Sequence, residues 1–259
     1  MTESLDAYKP AKIAQLVEEA GVAKARLEFG PMLTLAILAG AFIGLGGAAY
    51  TMTMTGLDPA IGPARLLGGV VFCLGLILVI VGGAELFTGN ALMVMAAVDG
   101  KIAPARLFRA WAIVYAGNLI GAAALAFGMT LSGLLDGPMG ETATRIAEAK
   151  TSLPPPEAFM RGILCNALVC LAIWLTFAAR TVAGKILAIL WPISAFVLLG
   201  FEHSVANMYF FPQAWGAGAD PALGAALTNL VWVTLGNIVG GAGGVALAYR
   251  FAYLAQHET

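Results

Sequence analysis

A chain of 259 residues that is 60% hydrophobic and 11% charged, with a mean hydropathy of +0.86, is not a soluble globular domain. The net charge of −1 offers nucleic acid no electrostatic hold, and the three cysteines, Cys73, Cys165 and Cys170, have no metal-ligand spacing and lie within apolar runs.

In chain order, residues 10–27 place Ile13, Leu16, Val17 and Ala20 at helical spacing among charged positions. This predicts an amphipathic helix, read as an interfacial anchor or as a gate over a pore mouth. Charge-free stretches then run Phe29–Leu57, Leu66–Ala84, Ala110–Leu135, Gly162–Ala179, Ile186–Phe201 with Ser204–Ala219 after it, and Pro221–Tyr249. A span needs about 20 apolar residues, so six spans are expected, the fifth interrupted. The first is rich in small residues (Gly40, Gly44, Gly46, Gly47) that allow close helix packing. The second runs into Glu85, and the apolar piece beyond it, Leu86–Val98, is too short to cross alone. Either Glu85 sits in one long tilted helix or the helix breaks at Gly82-Gly83 and resumes after Gly89; the break is preferred, because broken helices buried in protein present backbone groups to solutes. The polar segment Asp136–Pro156 ends in SLPPP, expected to be extended ahead of the fourth span. Trp191, Tyr209 and Trp215 suit interfacial anchoring.

Two motifs recur. GGAELFTGN (82–90) and GFEHSVANM (200–208) share G-x-E-x-x-x-x-N, aligning Gly83, Glu85 and Asn90 with Gly200, Glu202 and Asn207. Gly117-Asn118-Leu119-Ile120-Gly121 is matched by Gly236-Asn237-Ile238-Val239-Gly240. Matched motifs at matched separations predict an internal repeat, 31–135 against 157–253, flanked by an N-terminal helical segment 1–30, a loop 136–156 and a tail 254–259. With three spans each, the halves must insert with opposite topology. If the N-terminus is cytoplasmic, ten Lys and Arg fall inside and only Arg65, Arg145, Lys150 and Arg161 outside, which satisfies the positive-inside rule and puts both termini in the cytoplasm. Carboxylates within apolar runs are functional candidates by default, and Glu202 is followed directly by His203.

GGAELFTGN, LCNALVCLAIW (164–174), GFEHSVANM and LVWVTLGNIVGG (230–241) resemble the formate/nitrite transporter family, over nearly the whole chain from VEEAGVAKA (17–25) onward. VFCLGLILVIVGGAELFT (71–88) is more similar to formate channels than to nitrite or hydrosulfide ones, although Asn90 stands where formate channels often differ. The resemblance implies an all-α, aquaporin-like membrane protein with spans 2 and 5 broken, assembled as a homopentamer in the bacterial inner membrane, with a pore in each subunit and no cofactor. It implies apolar constrictions at Phe72, Leu76 and Phe196, with Leu86 close by. It places Thr88 in the loop breaking span 2, Lys150 at the outer vestibule, Asn166 beside the histidine and His203 at the centre. Substrate would be formate or a related small weak-acid anion, nitrite being the alternative within the family.

A bare anion cannot cross an apolar constriction without losing several kcal/mol of solvation. Thr88, Asn166 and His203 are suitable donors, and an imidazole titrates near neutrality, so His203 could hand a weak acid its proton. Lys150 would gather anions, while Glu85, Glu202, Asn90 and Asn207 would hold the broken helix ends. These residues suit a channel and a proton-coupled transporter alike. A different class, the haem-bearing membrane subunit of a respiratory enzyme, would need axial ligands in the spans, for which the chain offers only His203 and His257.

Overall fold

The computed structural model of the protein describes residues 7–254 and is built of helices; the predicted tail, His257 included, lies outside the described residues apart from Leu254. The order is α1 (Pro10–Ala25), α2 (Phe29–Met54), α3 (Gly62–Gly82), a 3-10 turn (Gly89–Met93) leading into α4 (Val94–Val98), α5 (Pro104–Leu131), α6 (Pro138–Thr151), α7 (Pro155–Ala178), α8 (Val182–Leu198), α9 (Ser204–Gly216) and α10 (Leu223–Ile238). A π-helical stretch, Val239–Leu247, joins α10 to α11 (Ala248–Tyr253). In α1, α3, α5, α6 and α7 a proline occupies the first turn, where its fixed φ suits the helix and its missing N–H costs nothing. Among the described residues, five helices are long and apolar enough to cross a membrane: α2, α3, α5, α7 and the continuous Leu223–Tyr253 run; Gly89–Val98 and α8 are shorter. Their apolar composition leaves helix as the conformation that satisfies the backbone without water.

The polarity of the fold is inverted. Phe251, Leu131, Trp191 and Phe108 are among many large apolar side chains turned outward, whereas Glu85, Glu202, His203, Asn118 and Asn237 are buried. Such a surface belongs against lipid or a partner.

Matching helices start in matching register. Phe29 and Pro155 open α2 and α7, 126 residues apart, and Pro104 and Leu223 open α5 and α10, 119 apart. The correspondence also takes in α1 and α6, whose C-terminal residues Ala25 and Thr151 are again 126 apart. Thus α6 is a helix where the sequence suggested only a polar loop, and the extended part of SLPPP shrinks because Pro155 already begins α7. Nor does α1 offer its apolar face to a membrane: Ile13, Ala14 and Val17 are buried in the common core. It is fastened by an ion pair from Lys101 to the buried carboxylate of Glu18, and Arg250 of α11 pairs with Asp99 beside it. Burial pushes the Glu18 carboxyl above its ordinary range and Asp99 adds to this, while Lys101 opposes it. Of the three aromatic anchors, Trp191 is exposed, but Tyr209 is fully buried, its ring lying over Gly44 and Gly47. The cysteines are free and buried.

The G-N-x-x-G motifs are helix crossings. A Cβ on Gly121 would lie 1.9 Å from the Ile37 carbonyl oxygen, and one on Gly240 2.1 Å from that of Ile163. No side chain fits there without separating α2 from α5, or α7 from the π-helical stretch that follows α10. Gly121→Val and Gly240→Val should each cost roughly 1–3 kcal/mol or more from overpacking, and Gly128→Ala, which meets nothing within 4 Å, should be neutral. Thermal midpoints in detergent check this; equal midpoints for all three would mean the crossings tolerate separation.

Candidate functional site

Two irregular loops meet inside the bundle. In the first, the chain leaves α3 at Gly82 and turns on Gly83, whose φ of +81° favours glycine. In the second it leaves α8 and turns on Gly200, φ +70°. Both then run without helix through a glutamate, and both need partners for freed peptide groups. The partners are equivalent. The Glu85 N–H donates to the Leu35 carbonyl (3.2 Å) and the Glu202 N–H to that of Arg161 (3.3 Å). The Asn118 side chain accepts from the Phe87 N–H (2.9 Å) and donates to the carbonyls of Ala36 (2.8 Å) and Glu85 (2.9 Å). Asn237 accepts from the Ser204 N–H (2.9 Å) and donates to the carbonyls of Gly162 (2.8 Å) and Glu202 (3.0 Å). One asparagine thus satisfies three backbone groups at each loop.

The carboxylates are paired in the same way. Glu85 accepts from Lys24 of α1 (2.7 Å) and from Asn90 (2.9 Å). Glu202 accepts from Lys150 of α6 (2.9 Å) and from Asn207 (2.7 Å). Each lysine comes from the end of the amphipathic helix of its own repeat, and each asparagine from the helical turn after the loop. A buried carboxylate needs such compensation.

The loops touch through Thr88 and His203, Oγ1 to Nε2, at 2.9 Å. His203 Nδ1 accepts from the Ala206 N–H (3.2 Å), capping α9. A nitrogen that accepts carries no proton, so the ring is the Nε2–H tautomer, donating to Thr88. The Thr88 hydroxyl then keeps its own hydrogen for another acceptor. The Thr88 carbonyl accepts from Asn166 (3.1 Å), whose second amide hydrogen goes to the Asn237 carbonyl (2.6 Å). Asn166 therefore braces the loops and has no amide hydrogen left for a solute.

Two cavities approach this junction. The larger, about 230 Å³, is walled by α3, α6 and α8; Phe72, Phe196 and His203 are among its least exposed lining residues, and Lys150 and Glu202 also line it. The Phe72 and Phe196 rings pack edge to face at 5.7 Å, and Phe196 lies 6.0 Å from the imidazole. The smaller, about 90 Å³, is lined by Leu86 and Val79 and covered by Val17, Gly21 and Lys24 of α1. Leu76 and Thr88 line neither and are buried.

Residues 11–251 match the family model described as Formate/nitrite transporter. The chain is 38% identical to the formate channel FocA of Escherichia coli K12, covering 98% of this chain and 97% of that protein. The chain belongs to the formate/nitrite transporter family. Two solved structures agree with this assignment. One, titled FNT family ion channel, superposes with a TM-score of 0.85 at 31% identity, covering 93% of this chain and 98% of that one. Another, titled pentameric formate channel with formate bound, gives 0.80 at 38%, covering 87% and 98%.

Against this family background, the sequence reading missed three residues of the framework. In the sequence Asn118 and Asn237 stand only as members of packing motifs, and Lys24 only as one of the charged positions of the segment 10–27. A signal for Lys24 existed: it precedes Lys150 by the same 126 residues that separate α2 from α7. The lysine pairing also changes what Lys150 does, since its side chain is only 15% exposed and committed to Glu202. Lys150→Ala should leave the buried Glu202 carboxylate without its cation, costing a few kcal/mol, and Lys150→Ala/Glu202→Gln should recover most of the loss. Thermal midpoints of the three proteins test this, and an unchanged single variant would return Lys150 to the role of a free vestibule charge.

Proposed function

We propose that the protein conducts formate, and related small anions of weak acids, across the cytoplasmic membrane. The observation that carries this reading is the Thr88–His203 contact, made where the two loops meet and set behind the Phe72–Phe196 pair at the end of the larger cavity. The relatives named as formate channels support the choice of substrate, and the solved pentamer supports a homopentamer here, the apolar outer faces being shared between lipid and neighbouring subunits. In this reading α3 with the Gly89–Val98 segment, and α8 with α9, are the second and fifth of six membrane spans, each broken at its glutamate loop. The repeats are inverted with respect to the membrane. The ten-to-four distribution of Lys and Arg supports an orientation with α1 and both termini in the cytoplasm and α6 outside.

The mechanism follows from the tautomer. Neutral His203 has one proton, on Nε2, and giving it away would leave an imidazolate. A proton must therefore enter with the anion. Protonation at Nδ1 breaks the cap to Ala206 and makes both ring nitrogens donors. The imidazolium then transfers its Nε2 proton to formate, giving formic acid and an imidazole protonated on Nδ1; release of that Nδ1 proton to water and uptake of one at Nε2 restore the resting tautomer and the cap. The Thr88 hydroxyl accepts from or donates to the moving group throughout. Formic acid crosses between Phe72 and Phe196 without the desolvation cost of a charge. Asn166, Asn118 and Asn237 keep the loops in place and do not touch the solute.

Two measurements on the same proteoliposomes test the mechanism. Formate flux should rise as pH falls, because the imidazolium is then more populated, and chloride, which His203 cannot neutralise, should pass poorly. His203→Gln should reduce formate flux roughly a hundredfold, the usual size of a lost acid–base group, while keeping oligomeric assembly. Chloride moving as fast as formate, or wild-type flux in His203→Gln, would overturn the mechanism. Nitrite outrunning formate would overturn only the substrate.

A further inference from the structure

The four cations that face the side depleted by the positive-inside rule are not scattered over it. Arg65, Arg145, Lys150 and Arg161 all line the 230 Å³ cavity. Topology gives no reason for cations there, so the cavity must supply one. Glu202 is the only acidic residue in its wall and is already paired with Lys150. Arg161 pairs with Glu157, which is itself outside the wall (3.2 Å). Arg145 donates only to the neutral Thr142 (2.8 Å). The Arg65 guanidinium makes no hydrogen bond or ion pair among the described residues, and one of its nitrogens lies against Gly200 at the turn leading to Glu202 and His203. The cavity thus holds two guanidinium charges with no counter-ion among the described residues.

The second cavity has no such surplus. Its one charged lining residue is Lys24, paired with Glu85. In repeat register, the positions matching Arg65, Arg145 and Arg161 are Val182, Glu19 and Leu35. The lysines are common to both halves and the arginines are confined to one.

We infer that Arg65, Arg145 and Arg161 make the α6-side cavity an anion-collecting site without counterpart on the α1 side, so that the protein fills with small monoanions at lower concentration from that side. A cavity of one sign of charge with low-dielectric walls raises local counter-ion concentration, on the order of tenfold or more. The equilibrium distribution of a passively moving anion is untouched; what changes is the side from which a dilute anion is captured. That this is the outer side, and that capture precedes formate transport, rests on the function proposed above.

The charge is read first, without transport. Ala149 lines the larger cavity and Ala20 is on α1, covering the smaller, and the native cysteines are buried. Ala149→Cys and Ala20→Cys proteins in detergent are labelled with anionic and cationic methanethiosulfonates. The anionic-to-cationic rate ratio should be about tenfold higher at 149 than at 20. It should fall to the level at 20 in Arg65→Gln/Arg145→Gln/Arg161→Gln, in part in Arg65→Gln alone should the triple variant not assemble, and at about 0.5 M salt, where screening lengths shrink to a few Å. Equal ratios at the two positions, or a difference that survives the arginine variants, overturn the inference. Formate uptake is then compared in right-side-out and everted membrane vesicles, where half-saturation should be several-fold lower right-side-out. Equal values overturn the kinetic half of the inference. A clear charge preference in detergent with no formate flux in either vesicle would leave the collecting site standing and reject formate as its anion.

Discussion

The constraint on which everything else depends is the hydrogen-bonding debt of two non-helical loops in the middle of an apolar bundle. An unpaired peptide group there costs several kcal/mol, and each loop exposes several in succession. Asn118 and Asn237 meet this demand because a primary amide is both acceptor and double donor, so one side chain can bind an N–H from the loop, a carbonyl from the loop and a carbonyl from the neighbouring helix. The glycines one turn away, Gly121 and Gly240, let those neighbouring helices come close enough for the bonds to form. Packing and polar satisfaction are one device here, and the G-N-x-x-G motif is its sequence form.

The charges are arranged on the same logic. Glu85 and Glu202 are tolerated at depth because a lysine and an asparagine meet each of them. Since the lysines sit at the ends of α1 and α6, both amphipathic helices are tied electrostatically to the loops. This couples the covers of the two cavities to the junction between them: displacing α1 would strand Glu85, and displacing α6 would strand Glu202.

Much of this was legible in the sequence where it took the form of periodicity or recurrence. The membrane character follows from charge-free runs and the repeat from G-x-E-x-x-x-x-N and G-N-x-x-G, whereas the contact of Thr88 with His203 is not legible, the resemblance placing Asn166 beside the histidine. What escaped has physical reasons. Residues 138–151 look like a loop because they are polar, yet helix α6 buries Met139, Ala143 and Ala147 with a stripe of small residues that carries little hydrophobic signal. Tyr209 has the sequence setting of an interfacial anchor because its partners, Gly44 and Gly47, are distant in sequence. Asn166 suits a solute donor by sequence because a lone amide in an apolar run advertises donors without revealing that both are taken. The π-helical stretch Val239–Leu247 follows no pattern a helical period would reveal, and it brings Gly241 against Asn166, where a Cβ would be 2.4 Å from the amide nitrogen.

The chemistry is found where the two halves stop resembling each other. In repeat register His203 corresponds to Leu86, Thr88 to Val205, Phe196 to Val79 and Asn166 to Gly40. Strict symmetry would have produced either two histidines facing each other or an apolar plug. Two histidines would repel once one was protonated, and an apolar plug would give an anion nothing to exchange for its water. One histidine from the second repeat and one threonine from the first give a single titratable group with a neutral partner that can accept or donate as the proton moves. The repeat supplies loops braced by matching asparagines and lysines; in the proposed mechanism its few departures from symmetry give one proton site between them and, by the inference drawn from the three arginines, a preferred side of approach.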